Sequence, residues 1–183
     1  MIDYIPSKTI RPDKVLFAPS AWVGLESIIK DILDTFNIQK ESAIDFGVDM
    51  GYSTVAISNF FKTVTGIDHF KGDHHAGLKE GGFYEFVLDM LKPYENIKLI
   101  NDSFEGFIKT NNDHYNLAHI DIVHDYQPTY DCGAWCCEHA DIVLFHDTES
   151  YLEVKKAVDD LSKKYELKFY NYDKCYGLGI LVK

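Results

Sequence analysis

The stretch AIDFGVDMGYSTVAISNFF, Ala43 to Phe61, begins as a buried strand and continues as a helix across two glycines. Apolar residues crowd Ala43 to Val48, Gly47 and Gly51 mark the turn, and Ser53 and Thr54 open a run with helical spacing. In an open parallel sheet, ligands sit beyond the carboxyl ends of the strands, so the hinge is a candidate ligand site. Gly47 and Gly51 allow a tight turn and close approach of backbone to a ligand, beside the free N–H groups of a helix start. The spacing is G-x-x-x-G, so the G-x-G-x-x-G dinucleotide fingerprint is absent, and no Lys follows to make a phosphate loop. Two glycines alone serve a purely steric turn equally well.

Outward from the hinge, short apolar runs recur at 63–68, 97–101, 117–123 and 141–147, with helical patterns at 53–61, 82–92, about 103–110 and about 128–138. Strands alternating with helices predict an α/β fold of parallel strands joined by right-handed crossovers. Upstream, after a Pro-punctuated arm (1–19), SAWVGLESIIKDILDTFN carries apolar residues at spacings of three and four and predicts one amphipathic helix capped by Ser20. Downstream, a helix at 149–164 precedes LKFYNY and YGLGILVK, two strands close enough in sequence to pair as an antiparallel hairpin.

At 183 residues and 46% hydrophobic content, the chain is expected to form a single domain over 1–183. Its 29 acidic and 18 basic residues give a net charge of -11 with no Lys/Arg cluster, which argues against nucleic acid as a partner. No apolar run approaches the roughly 18 to 20 residues of a membrane span, and MIDYIPSKTI lacks the order of a signal peptide. The expectation is a cytoplasmic protein without a membrane partner. The four cysteines fit that compartment as free thiols. CGAWCCEH offers Cys132, Cys136, Cys137 and His139 as zinc ligands, but at the wrong spacing for knuckle pairs; the alternative is a helix packing small thiols against the sheet.

Acidic residues follow the other strands. Asp68, twenty-one residues after Gly47, stands where a carboxylate accepts both hydroxyls of a ribose, with His69 beside it. Asp102 and Ser103 follow the next strand, placed to reach an adenine edge. With Asp45 available for an ammonium group, S-adenosylmethionine fits this adenosine site better than NAD, because it has no pyrophosphate needing a second close glycine.

These residues resemble the class I S-adenosylmethionine-dependent methyltransferases, specifically a branch associated with sugar and polysaccharide modification. The blocks are SAW, DFGVDMGYST, GIDHFKGDHHAG, LAHIDIVHDY, VLFHDT and YGLGILVK, in that order from about residue 20 onward. The resemblance implies a Rossmann-like, seven-stranded, mostly parallel sheet with an antiparallel last strand. It implies that Asp45, Gly47, Gly51, Ser53 and Thr54 form the methionine side of the pocket. Asp68 and His69 would hold the ribose, Asp102 and Ser103 would face the adenine, and Asp121 is counted with the cofactor contacts. The chain departs from the pattern at Ile122, where a glycine is usual, and at EHAD, where a Gly-Gly is usual.

On the acceptor side, Asp121 with His124 and Asp125, and His146 with Asp147, follow two strands whose ends converge if both are parallel. His124 is the expected base, assisted by Asp121. Related sugar O-methyltransferases imply a magnesium or manganese ion on an aspartate and an acidic pair; here Asp121, His146 and Asp147 are the candidates, and a His in the set suits a transition metal better. Alternatively, Asp147 and Thr148 cap the following helix, and His119 is a satisfied core residue. FKGDHHAGLKEGGFYEF, with Asp73, His74 and His75, reads as a lid or as a solvated surface loop.

The resemblance implies O-methylation of a small acceptor such as a sugar or glycan precursor, gripped by the lid, the arm and, in a homo-oligomer, a neighbouring subunit. Two other readings stay open: a protein that binds S-adenosylmethionine for a regulatory or scaffold purpose without transfer, and an NAD-dependent oxidoreductase, which the glycine spacing disfavours.

Overall fold

The computed structural model describes residues 1–75 and 77–183. In chain order the elements are β1 (Ile2–Asp3), α1 (Ile29–Thr35), β2 (Ser42–Phe46), α2 (Tyr52–Ser58), β3 (Thr63–Asp68), β4 (Gly72–Asp73), β5 (Gly77–Leu78) and α3 (Phe83–Leu91). Then come β6 (Ile97–Asn101), α4 (Phe104–Ile108), β7 (Tyr115–Ile120), α5 (Tyr126–His139), β8 (Ala140–His146), α6 (Leu152–Lys164), β9 (Lys168–Tyr172) and β10 (Leu178–Val182).

The central sheet has eight strands in the order β1-β9-β10-β8-β7-β2-β3-β6, and β4 and β5 form a separate small hairpin. Strands β8, β7, β2, β3 and β6 run parallel, while β10 runs antiparallel to both β8 and β9. The extra strand relative to the expected seven is β1, which adds parallel to β9 at the edge, Ile2 opposite Tyr170 and Asp3 opposite Asn171. From β2 the chain winds outward through β3 to β6, then returns to lay β7 and β8 on the other side. Strand order therefore reverses between β2 and β7, where a crevice opens beyond the strand ends.

Alternating residues feed two cores, one on each face. Ala43, Leu117 and Ile142 join Trp22, Ile28, Ile32 and the α2 residues Val55 and Ala56. Their neighbours Ile44, Ala118 and Val143 join Cys132 and Cys136 of α5 and Leu161 of α6. All four cysteines are free. Cys132 and Cys136 are fully enclosed, and burial pushes the thiol of Cys136 well up and that of Cys137 to about 12. The His139 ring stacks on Trp135 at 4.3 Å between centroids, so the CGAWCCEH run acts as helix packing.

The amphipathic segment before β2 is shorter than its periodicity predicts. Gly24 adopts φ +105, a 3-10 turn covers Leu25–Ser27, and regular helix begins only at Ile29. A Cβ on Gly24 would sit 2.8 Å from the Cys175 sulfur, and the Gly24 N–H donates to Glu26 at 2.6 Å, so tertiary contact fixes the break. Ser20 accepts from the Trp22 N–H at 3.1 Å ahead of Gly24 and caps neither the 3-10 turn nor the helix, a correction to the expected cap. Among the described residues no helix is long and apolar enough to cross a membrane.

Candidate active site

Where β2 ends, Gly47 adopts φ +91, and a Cβ there would lie 1.8 Å from the Asp121 carbonyl oxygen. No other residue fits this crossing of two strand ends. Gly51 also has positive φ, at +90, but it starts α2 and packs on Leu91, where a Cβ would come within 2.8 Å; it lines neither cavity described below, so its expected ligand contact is not present.

Asp45 is likewise corrected as an ammonium partner. It is fully buried, its Oδ2 accepts from the hydroxyls of Ser53 and Thr54, and its Oδ1 lies 2.6 Å from His119 Nδ1. Trp22 Nε1–H donates to His119 Nε2 at 3.0 Å. An indole nitrogen only donates, so His119 holds its proton on Nδ1 and is neutral, passing that hydrogen bond to Asp45. His119 is thus the satisfied core residue, and Thr54 is enclosed with it. Ser53 binds Asp45 and also reaches a cavity wall.

Two cavities meet at Gly47, Asp49, Asp73, Asp121 and Ile122. The smaller, about 250 Å³, gathers Asp68, His69, Asp102 and Ser103 from the ends of β3 and β6. Asp68 accepts from the backbone N–H of Asp49 at 2.9 Å and of Phe70 at 2.6 Å. Burial pushes its carboxyl above the usual range, against the pull of those two hydrogen bonds. Ser103 caps α4 through the Gly106 N–H at 3.1 Å, while its own N–H donates to Asp102 at 2.8 Å. Apolar walls come from Ile67, Phe70, Phe83 and Phe104, and Lys79 closes one side, paired with Asp49 at 2.8 Å. The phenylalanines and Lys79 were not singled out in the sequence, because their arrival at one place depends on how the loops fold back.

The larger cavity, about 540 Å³, is floored by the acids and imidazoles after β7 and β8. His124 Nε2 lies 2.8 Å from Asp147 Oδ2 and 3.4 Å from Asp121 Oδ1. His146 Nδ1 lies 3.1 Å from Asp121 Oδ2 and 3.4 Å from Asp147 Oδ2, and its Nε2 donates to the Cys175 carbonyl at 3.2 Å. Burial disfavours charge on every member, yet the mutual pairing prevails. It lifts His124 to about 9 and His146 to about 10, and holds both carboxyls below the usual range. The Asp147 backbone is left-handed, φ +66, and α6 starts only at Leu152 after Tyr151, so the helix-cap reading of Asp147 gives way to pairing with His124. Thr148 donates to Asn171 instead.

Among the described residues two groups of atoms are close enough to hold a cation: Asp121, His124 and Asp147 on the cavity floor, and Asp73, His74 and His75 in the more exposed hairpin. His124 therefore takes the place expected for His146 in the ligand set. Asp125 stands at the start of α5, 3.8 Å from His74, outside this group. His124 Nδ1 is buried with no hydrogen-bond partner. Its ring stacks on Tyr151 at 4.2 Å, with His75 5.1 Å away. The hairpin β4–β5 brings His75 to the larger cavity and Asp73 to both, while His74, His75 and Leu78 stay exposed to solvent. Ala76 in that segment lies outside the described residues. Trp22, Tyr52, Tyr151 and Tyr176 complete the walls. Neither Tyr151 nor Tyr176 was singled out in the sequence; Tyr176 opens the YGLGILVK block and Tyr151 follows VLFHDT by three residues, the one signal that could have marked them.

No family model and no curated protein matches the chain. Solved structures do. An O-methyltransferase from Bacillus cereus, in complex with S-adenosylhomocysteine, superposes with TM-score 0.65 at 9% identity over 91% of this chain and 83% of that one. The chain has the Rossmann-like methyltransferase fold. A Staphylococcus aureus protein provisionally assigned as a caffeoyl-CoA O-methyltransferase shares that methyltransferase fold at TM-score 0.67 and 14% identity, over 92% and 86% of the two chains. So does an rRNA methylase from Streptococcus thermophilus, at TM-score 0.61 and 14% identity, over 86% and 95%. The methyltransferase fold serves different acceptors at equal likeness, so an acceptor has to be argued from the site itself.

Proposed function

We propose that the chain is an S-adenosylmethionine-dependent O-methyltransferase whose acceptor is a small molecule such as a sugar or glycan precursor. The observation that carries this reading is the meeting of the two cavities at Gly47 and Asp121, which sets a nucleoside-sized pocket directly against an acid and imidazole floor. The smaller cavity fits the cofactor: Asp68 for ribose hydroxyls, Asp102 and Ser103 for the adenine edge, and phenylalanine faces for the base. When bound, S-adenosylmethionine supplies an electrophilic methyl group.

His124 is the base. Its Nε2 faces Asp147 and Asp121, and the ring takes the acceptor's hydroxyl proton in its neutral form, which prevails only above about pH 9. The carboxylates that raise the basicity of His124 also hold the imidazolium formed. The floor also fits a divalent ion: Asp121, His124 and Asp147 would offer mixed oxygen and nitrogen donors, suiting manganese more than magnesium, and His124 would then be a ligand in place of the base. Such an ion supplies Lewis-acid polarisation of a hydroxyl. Calorimetric titration with S-adenosylhomocysteine tests the cofactor half; Asp68→Asn is expected to weaken binding by about tenfold or more. No binding to the wild type would overturn the reading.

A second reading draws on Ile122, which lines both cavities where the resemblance places a glycine. It takes the chain as a binder of the methyl donor without transfer, and it requires cofactor binding with no methylated product from any acceptor.

A further inference from the structure

We propose that the larger cavity selects acceptors by charge, taking a neutral or amine-bearing polyhydroxy ring and refusing one linked to phosphate, nucleotide, sulfate or coenzyme A. This rests on the reading of that cavity as the acceptor site. Among the described residues, no Lys or Arg side chain lines it, whereas Asp49, Asp73, Asp121 and Asp147 do. The imidazoles of the floor face Asp121 and Asp147 directly, so whatever positive charge they carry is already matched by two carboxylates. The ammonium of Lys79 lines the smaller cavity and is tied to Asp49 at 2.8 Å. A phosphate entering this space would give up its water to stand beside the carboxylates of Asp49, Asp73, Asp121 and Asp147. The chain's net charge of -11 adds a long-range field of the same sign.

The walls accept what the floor does not repel. Trp22 and Tyr52 are buried within the wall, the Trp22 N–H held by His119. Tyr151, half-buried, and Tyr176, exposed, offer ring surface and phenol groups to a hydroxylated ring. Sites that recognise phosphate place Arg, Lys or a run of backbone N–H groups against it; here aromatic and carboxylate groups hold those positions.

The test ranks four probes that share one ring, by ligand-observed NMR with and without S-adenosylhomocysteine: methyl glucoside, glucosamine, glucose 1-phosphate and UDP-glucose. The neutral and amine probes are expected to bind about tenfold or more tightly than either phosphorylated probe. Ser150→Lys, which places a cation on the wall, is expected to narrow that gap. Equal or tighter binding of a phosphorylated probe to the wild type overturns the proposal, as does absence of binding by all four. A chain that ranks the probes as expected but ignores S-adenosylhomocysteine loses the methyltransferase reading and keeps this one. A chain that binds S-adenosylhomocysteine and prefers UDP-glucose does the opposite.

Discussion

Gly47 shows how much can depend on one missing methyl group. Its left-handed backbone and the 1.8 Å approach of a notional Cβ to the Asp121 carbonyl leave Gly47→Ala no relaxed geometry. That variant is expected to lose about 2–4 kcal/mol in urea unfolding, and S-adenosylhomocysteine binding with it. Asp45 makes the complementary case. Asp45→Ala strands the hydroxyls of Ser53 and Thr54 and the N–H of His119 in a fully buried place, an expected cost of about 3 kcal/mol or more by the same measurement. The acid at the end of β2 was legible in the sequence; its use was not. Asp45 and His119 sit opposite each other in the β2–β7 pairing, and register across a crossover of some seventy residues leaves no local trace. By contrast Asp68, Asp102, Asp121 and Asp147 could be placed at one rim from topology alone, since parallel strands bring their carboxyl ends together.

Among the elements, the alternation of apolar runs with helical patterns located the main strands and helices to within a few residues. Three features escaped it. Strand β1 and the hairpin strands β4 and β5 are too short to show a period, and the break at Gly24 answers to Cys175, distant in sequence. The arm that carries β1 is pinned at Asp31, which accepts from the Tyr4 hydroxyl at 2.7 Å and from the backbone N–H groups of Ser7 at 3.1 Å and Lys8 at 3.0 Å. Burial raises the Asp31 carboxyl, but the hydrogen bonds from Ser7, Tyr4 and Lys8 more than offset it and hold it below its ordinary value of 3.8. A carboxyl depressed by folding stabilises above its unfolded value and ceases to as pH falls through its folded one. The arm should therefore stay docked at pH 6, begin to loosen as pH falls below 3.8 and come free as pH passes through the lower folded value. Limited proteolysis with an acid-active protease across that range checks this, and Asp31→Ala should release the arm at neutral pH. Because Pro19 to Trp22 at the end of the arm wall the larger cavity, release should also weaken probe binding there.

For the molecule as a whole, charge and donor chemistry make two further expectations. The likeness to an rRNA methylase stops at the fold: with a net charge of -11, the chain should give no gel shift with an RNA hairpin at physiological salt. Manganese, on the other hand, should raise the thermal midpoint of the wild type through Asp121, His124 and Asp147, and should fail to do so in Asp147→Asn. A midpoint raised equally in both would place the ion elsewhere.

The reversal of strand order between β2 and β7 divides the labour of the crevice. One pocket is built from the ends of β3 and β6, the other from the ends of β7 and β8, the arm and the turn before β10, with Gly47 and Asp121 at the boundary. Mutation can therefore explore one half while selection holds the other fixed. A lineage carrying this architecture can exchange Tyr151 or Tyr176 and acquire a new small molecule without rebuilding the pocket around Asp68, so the fold is open to divergence on one flank and conservative on the other.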